Sequence, residues 1–437
     1  MIADLLLKNG EIYKDGSLQK KDILVEKGVI TRIEDSIDLS EKEVSKILDL
    51  SGQQVLPGLI DSQVHFRDPG LTHKEDLETG SMAAALGGVC TFFEMPNTTP
   101  PTTDEASIKE KVDKAKKVSY VNFGFFMGAT QHNLEELKKA SDLEGCCGIK
   151  IFLGSSTGSL LLYEREALIN VFKNTKGMIS CHSENEDMLR ENIAIRDKAT
   201  TAHDHPVWRN VDTALSSTKR LIGLAREAGR KVHVLHITTR YEIDFLRENK
   251  DICTVEVLPQ HLTLNAPDCY DQLGTYAQMN PPIRTKDHQE GLWAGILDGT
   301  VDVMGSDHAP HTREEKDQGY PKSPSGMPGV QTIIPLMLNH VHEGRLKLSR
   351  LMELMAERPA ELWNLNKGKI EIGKDADFTV VDLKGKFTIK NEDQASKSGW
   401  TPFHGKEITG RPTHTIVGGV VVMKDGAIVA RAGKPAL

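Results

Sequence analysis

From residue 55 onward the chain alternates short apolar runs with helical stretches, and this alternation limits its fold more than any other feature. The runs at 55–60, 89–95, 120–127, 148–153, 178–183, 231–237, 253–258 and 301–306 are strand-length and apolar, as parallel strands covered on both faces must be. Helical patterns separate them, at 77–86, 105–117, 133–140, 164–172, 213–228, 241–248 and 286–297. Such units, eight over about 300 residues, predict an α/β fold, a (β/α)8 TIM barrel. A doubly wound open sheet is the alternative, but no Gly-rich phosphate fingerprint follows the first strand.

Both ends of the chain lack the alternation. Residues 1–52 read as short strands with turn signals at Asn9-Gly10 and Lys27-Gly28. Residues 368–382, 413–422 and 427–431 read as strands again, and 384–400 as polar loop. The two ends therefore predict one small β-sandwich domain, 1–52 with 366–437, and the barrel, 53–365, is inserted between them. A length of 437 residues suits one large and one small domain. The net charge of −8 argues against a nucleic-acid partner, which needs a basic footprint. No apolar stretch approaches membrane-spanning length, and the N-terminus lacks the pattern of a signal peptide. Six cysteines without a CxxC pair suggest reduced thiols and a cytoplasmic setting.

In such a barrel the chemistry sits at the C-terminal ends of the strands. The first apolar run turns abruptly polar, and strand alternation would put Asp61, Gln63, His65 and Arg67 on one face. An acid, an amide, an imidazole and a guanidinium suit a site for a metal and an anionic substrate. Other strand ends carry Asn97, Lys150 among apolar neighbours, His182, His236, and Asp307 with His311. Singly, each has an ordinary reading: a satisfied structural histidine, a snorkelling lysine, a helix-capping aspartate. Together, His65, Lys150, His182, His236 and Asp307 mark the same ends of strands one, four, five, six and eight. Neutral imidazoles and carboxylates are zinc ligands. Desolvation lowers a lysine's pKa, and the free amine can take up carbon dioxide as a carbamate whose two oxygens bridge two metals.

The chain resembles the amidohydrolase superfamily, and within it the dihydroorotases. The resemblance rests on Asp61 to Gly70, Met95-Pro-Asn-Thr98, Gly148-Ile-Lys-Ile-Phe152, Cys181-His-Ser-Glu184, His233-Val-Leu-His-Ile237, Asn280-Pro-Pro-Ile-Arg284, Ser306-Asp-His-Ala-Pro-His311 and Gly373-Lys-Asp-Ala-Asp-Phe378. It spans nearly the whole chain. It implies zinc, one or two ions per chain, with Lys150 as carbamylated bridge, His182 and His236 on one ion and His65 and Asp307 on the other. It further implies Asp307 as the catalytic proton carrier, and Arg67, Asn97, Asn280 and His311 as the groups that bind dihydroorotate. A homodimer is the implied assembly, and no membrane partner is.

One position departs from the family pattern, whose first motif is His-x-His. Here Gln63 replaces the first histidine, and an amide oxygen is a weaker zinc ligand than imidazole. Three readings follow: Gln63 or Asp61 substitutes as ligand, the first metal binds weakly, or the protein is a non-catalytic scaffold subunit that kept the fold. Hydantoinases and allantoinases share the implied fold and metal site, but their rings lack the carboxylate that Arg67 would meet. The loop 154–159 after Lys150 sits where dihydroorotases place a mobile lid. Residues 312–331 are expected to wall the pocket, and His203 and His205 to be structural.

Overall fold

The computed structural model describes residues 4–40, 43–156 and 160–437. Eight strands form the central sheet: β1 (Leu59–Val64), β2 (Val89–Glu94), β3 (Asn122–Gly128), β4 (Cys146–Phe152), β5 (Ile179–His182), β6 (Val232–Val234), β7 (Cys253–Val257) and β8 (Val303–Met304). Each pairs in parallel with the next. A parallel bridge between Val64 and His308 joins the last strand's end to the first, so the sheet curls into a barrel. The strands are almost wholly buried, which explains their continuous apolar runs. Helices begin where the sequence supplies caps: the side chains of Asp76, Asp104, Asn210 and Thr239 each accept from the backbone N–H three residues on.

The small domain is built from both chain ends. A four-stranded sheet holds Leu5–Lys8, Asp22–Glu26, Val29–Glu34 and Ile47–Asp49. A seven-stranded sheet joins Glu11–Lys14, Ser17–Lys20 and Gln54–Pro57 to Phe378–Thr388, Glu407–Val417, Val420–Lys424 and Ala427–Ile428. Leu5, Ile12, Ile23, Val55, Phe378 and Ile416 form the core between them.

Several expected elements differ. The run at 55–60 is two strands, not one: Gln54–Pro57 pairs with Phe378–Thr388, and β1 starts after Gly58. A Cβ on Gly58 would lie 2.6 Å from that of Asp377, so only glycine lets the chain cross between the sheets here. The expected strands at 231–237 and 301–306 shrink to β6 and β8, because His236 (φ 38°) and Asp307 (φ 43°) turn left-handed and break the pleat. The helix expected at 133–140 is one turn, Leu134–Leu137, with a 3-10 turn at Ala140–Asp142. The loop expected at 384–400 is strand as far as Thr388, held by pairing with Glu407–Val417. The strand expected at 413–422 is broken at Gly418-Gly419, both at positive φ. All six cysteines are free and buried. Among the described residues no helix is long and apolar enough to cross a membrane.

Candidate active site

Gln63, His65, Arg67, Asn97, Lys150, His182, His236, Asn280 and Asp307 line one small cavity at the strand ends. Its free space is about 20 Å³, and it adjoins a mouth of about 470 Å³ through Ser156, Asn280 and Ser325. Three of the site residues, Arg67, His236 and Asp307, sit at positive φ. The other positive-φ residues outside glycine are Asn, Asp and Lys in turns and at a helix end. Left-handed backbone at bulky residues is strained, and the surrounding packing must impose it.

The imidazoles and the carboxylate form two pairs. His182 Nδ1 lies 3.0 Å from His236 Nε2, and His65 Nε2 lies 3.0 Å from Asp307 Oδ1. Two ligands of one tetrahedral zinc, each bonded at about 2.1 Å, would be roughly 3.4 Å apart. Both pairs are near that separation. Partners behind the rings set their tautomers. Glu184 Oε2 accepts from His182 Nε2 at 2.9 Å, leaving the Nδ1 lone pair facing His236. Asn97 Oδ1 accepts from His65 Nδ1 at 2.6 Å, leaving the Nε2 lone pair facing Asp307. Burial lowers the pKa of His65, His182 and His236, which keeps the rings neutral. Neutral imidazole is the form that binds metal.

Among the described residues no three His, Cys, Asp or Glu side chains converge on one point. A third ligand for either pair must come from another group, and Lys150 lines the same cavity. Its Nζ is buried without a hydrogen-bond partner among the described residues, 4.6 Å from the centre of the Phe152 ring, and burial lowers its pKa to about 8. Among the described residues Gln63 Oε1, in the same lining, also has no partner. Leaving such atoms unpaired is costly, so this donor set fits a bound cation.

Gln63 Nε2 donates to Asp307 Oδ1 at 3.1 Å. Asp61 lies outside the cavity lining; its Oδ1 accepts from the backbone N–H groups of Ser306 and Gln63, and burial raises its pKa to about 7. Arg67 is buried, with Nε donating to Pro310 O and Nη2 3.3 Å from His311 Nε2. Asn280 Oδ1 accepts from His205 Nε2 at 3.0 Å, so His205 orients a cavity residue. His203 pairs with Asp271 at the surface. Ser325 and Gly326, within the expected 312–331 wall, line the cavity. In the loop 154–159, residues 157–159 lie outside the described residues, while Ser155 N donates to Glu186 Oε2.

Sequence reasoning missed Glu184 and Arg209. Glu184 is wholly buried and takes three contacts of 2.5–3.1 Å from Arg209, besides the one to His182. The signal for Glu184 was its place two residues after a strand-end histidine. Arg209 carries no such signal, because it comes from the long segment between β5 and its following helix.

The chain matches the Amidohydrolase family over residues 54–422. It is similar to a dihydroorotase of Methanosarcina mazei, at 36% identity over 99% of this chain and 97% of that one. It is likewise similar to a dihydroorotase of Methanothermobacter thermautotrophicus, at 35% identity over 99% and 96%. In three dimensions it is similar to the L-hydantoinase (dihydropyrimidinase) from Arthrobacter aurescens, with a TM-score of 0.94 and 29% identity over 99% of both chains.

Proposed function

This chain belongs to the amidohydrolase family, and we propose that within it the protein is a zinc-dependent dihydroorotase. The reaction is the reversible hydrolysis of the cyclic amide of L-dihydroorotate to N-carbamoyl-L-aspartate, a step of pyrimidine synthesis, in the cytoplasm. The observation that carries the reading is a buried guanidinium, Arg67, in the same closed cavity as two ligand-spaced pairs and an unpartnered lysine.

In this reading His182 and His236 would hold one ion and His65 and Asp307 the other, with Lys150, as its carbamate, supplying the further ligand to both. The lowered pKa of Lys150 supports this, since only the free amine reacts with carbon dioxide. Bound zinc acidifies water and polarises the carbonyl under attack. Asp307 takes the proton of the attacking water and hands it to the leaving ring nitrogen as the C–N bond breaks. Arg67 binds the substrate carboxylate with its planar fork, and His311 lies beside it. Asn280 reaches the ring from the mouth, oriented by His205. Asn97 acts on His65 as well as on substrate, by holding its Nδ1 proton.

Hydantoinases share the shape, but their rings carry no carboxylate, and Arg67 would then be a buried cation without its anion. A non-catalytic scaffold would have no use for a buried, unpartnered Lys150 Nζ. The test is turnover of L-dihydroorotate and of hydantoin by protein purified with zinc and bicarbonate, with metal counted on the same sample. Turnover of dihydroorotate with bound zinc supports the reading. Preference for hydantoin, or no turnover with little metal, refutes it.

A further inference from the structure

His311 is buried, and its ring is fixed by what lies on either side. Lys74 Nζ is 3.1 Å from Nδ1. On the other side Nε2 is 3.1 Å from the backbone oxygen of Ser325 and 3.3 Å from Arg67 Nη2. An ammonium can only donate, so Nδ1 must accept, and the ring's one proton sits on Nε2 and is donated to Ser325 O. Glu315 pulls the other way. Its Oε2 lies 3.6 Å from Nδ1 and would attract a proton there, but that oxygen already accepts from the Thr312 N–H at 3.0 Å, and its Oε1 from Lys74 at 2.8 Å.

The tautomer matters to Arg67. An Nε2 without a proton would accept from the guanidinium and tie up one arm of the fork. An Nε2 with a proton, donated to Ser325 O, cannot, so the Nη2 arm of Arg67 stays free for an anion. We propose that Lys74 is a positioning residue for the carboxylate half of the pocket: by donating to His311 Nδ1 it fixes the ring proton on Nε2 and leaves Arg67 free for substrate. The kinetic consequence rests on the dihydroorotase reading; the tautomer does not.

Two measurements test this. Nitrogen-15 spectra of histidine-labelled protein, with His311 identified by loss of its signals in His311→Asn, should show Nδ1 unprotonated and Nε2 protonated. In Lys74→Met the proton should move to Nδ1, toward Glu315. In the same variant KM for L-dihydroorotate should rise about tenfold, the worth of one charged hydrogen bond. Its kcat should change less than about threefold, because the loss is in binding. Zinc content should stay the same, and Lys74→Arg, which keeps a donor at Nδ1, should restore both tautomer and KM. A protonated Nδ1 in the unaltered protein overturns the proposal whether or not the variant folds. An unchanged KM and tautomer in Lys74→Met also overturn it, leaving Lys74 as a surface partner of Glu315. Absence of turnover by the unaltered enzyme refutes the dihydroorotase reading alone, and the spectra then decide the proposal.

Discussion

Glu184→Gln should separate two jobs that one buried carboxylate performs. The carboxylate is held by Arg209 Nη2 at 2.5 Å and Nε at 3.1 Å, and it accepts from His182 Nε2 at 2.9 Å. Breaking a buried ion pair by removing one partner costs about 3–5 kcal/mol, because the other charge stays buried without compensation. Glutamine keeps one acceptor for Arg209, so a loss of about 3 kcal/mol is expected from urea unfolding of metal-stripped protein. Without the carboxylate, His182 Nε2 loses its anionic acceptor, and zinc affinity should fall about 10–100-fold in competition with a chelator. Adding Arg209→Met removes the stranded cation, so stability should recover while zinc affinity does not. The pH dependence has a definite sign. Burial alone would raise the Glu184 pKa, but the Arg209 charge and the His182 contact outweigh it and hold the carboxyl well below its ordinary value of 4.5. Its contribution is therefore fully present above pH 4.5 and fades as pH falls from there toward the folded pKa. The stability gap between the unaltered protein and Glu184→Gln should accordingly be flat near neutrality and narrow in acid. Zinc affinity within about threefold of the unaltered protein would refute the role assigned to Glu184, whatever happens to stability.

Arg67→Met should raise KM for L-dihydroorotate about 100-fold or abolish saturation, with metal content unchanged, since a buried charged contact to the carboxylate is lost; loss of metal instead would show that Arg67 supports the metal pairs. Gln63→His replaces an amide that donates to Asp307 with an imidazole, and should increase the zinc retained per chain after dialysis, as measured by atomic emission; an unchanged count would mean that the glutamine already supports both ions. At a fixed concentration of dissolved carbon dioxide, loading of zinc into metal-free protein should be faster at high pH, because the Lys150 pKa of about 8 leaves about 10% free amine at pH 7 and about 90% at pH 9. A loading rate independent of pH over that range would count against a carbamate on Lys150.

What the sequence revealed followed from periodicity and from strand ends. Parallel strands covered on both faces must be apolar throughout, so eight such runs were visible, and the residues just past them were visible as sudden polarity. His65, Lys150, His182, His236 and Asp307 were found this way, and the structure gathers them in one cavity. Three kinds of feature were hidden. Gly58 reads as an ordinary residue of an apolar run, although the chain changes sheets there and only glycine fits, since a Cβ would strike Asp377. The left-handed backbone of His236 and Asp307 shortens two strands, and although Asp and His enter that region more often than most residues, nothing in the sequence marks these two positions for it. Arg209, His205 and Lys74 act from long connecting segments, where periodicity says nothing about which side chain returns to the site.

Shape and charge carry different information in this family. The fold superposes on a hydantoinase with a TM-score of 0.94, so the barrel, the strand ends and the two side-chain pairs cannot by themselves name a substrate. Discrimination has to come from groups whose burial is unfavourable unless a particular ligand arrives. Arg67 is such a group: burial lowers its pKa to about 10, and among the described residues it donates to one backbone oxygen at 3.3 Å and faces a ring nitrogen that, in the proposed tautomer, carries a proton and cannot accept. A carboxylate on the substrate would supply the missing acceptor, and its absence would leave the cost of burial uncompensated. The same reasoning sets the order of sensitivity to mutation. Changes at Lys74, Arg67 and His311 should alter which ring is accepted while zinc stays bound, and changes at Glu184, His182 and Lys150 should release zinc before they alter the choice of ring.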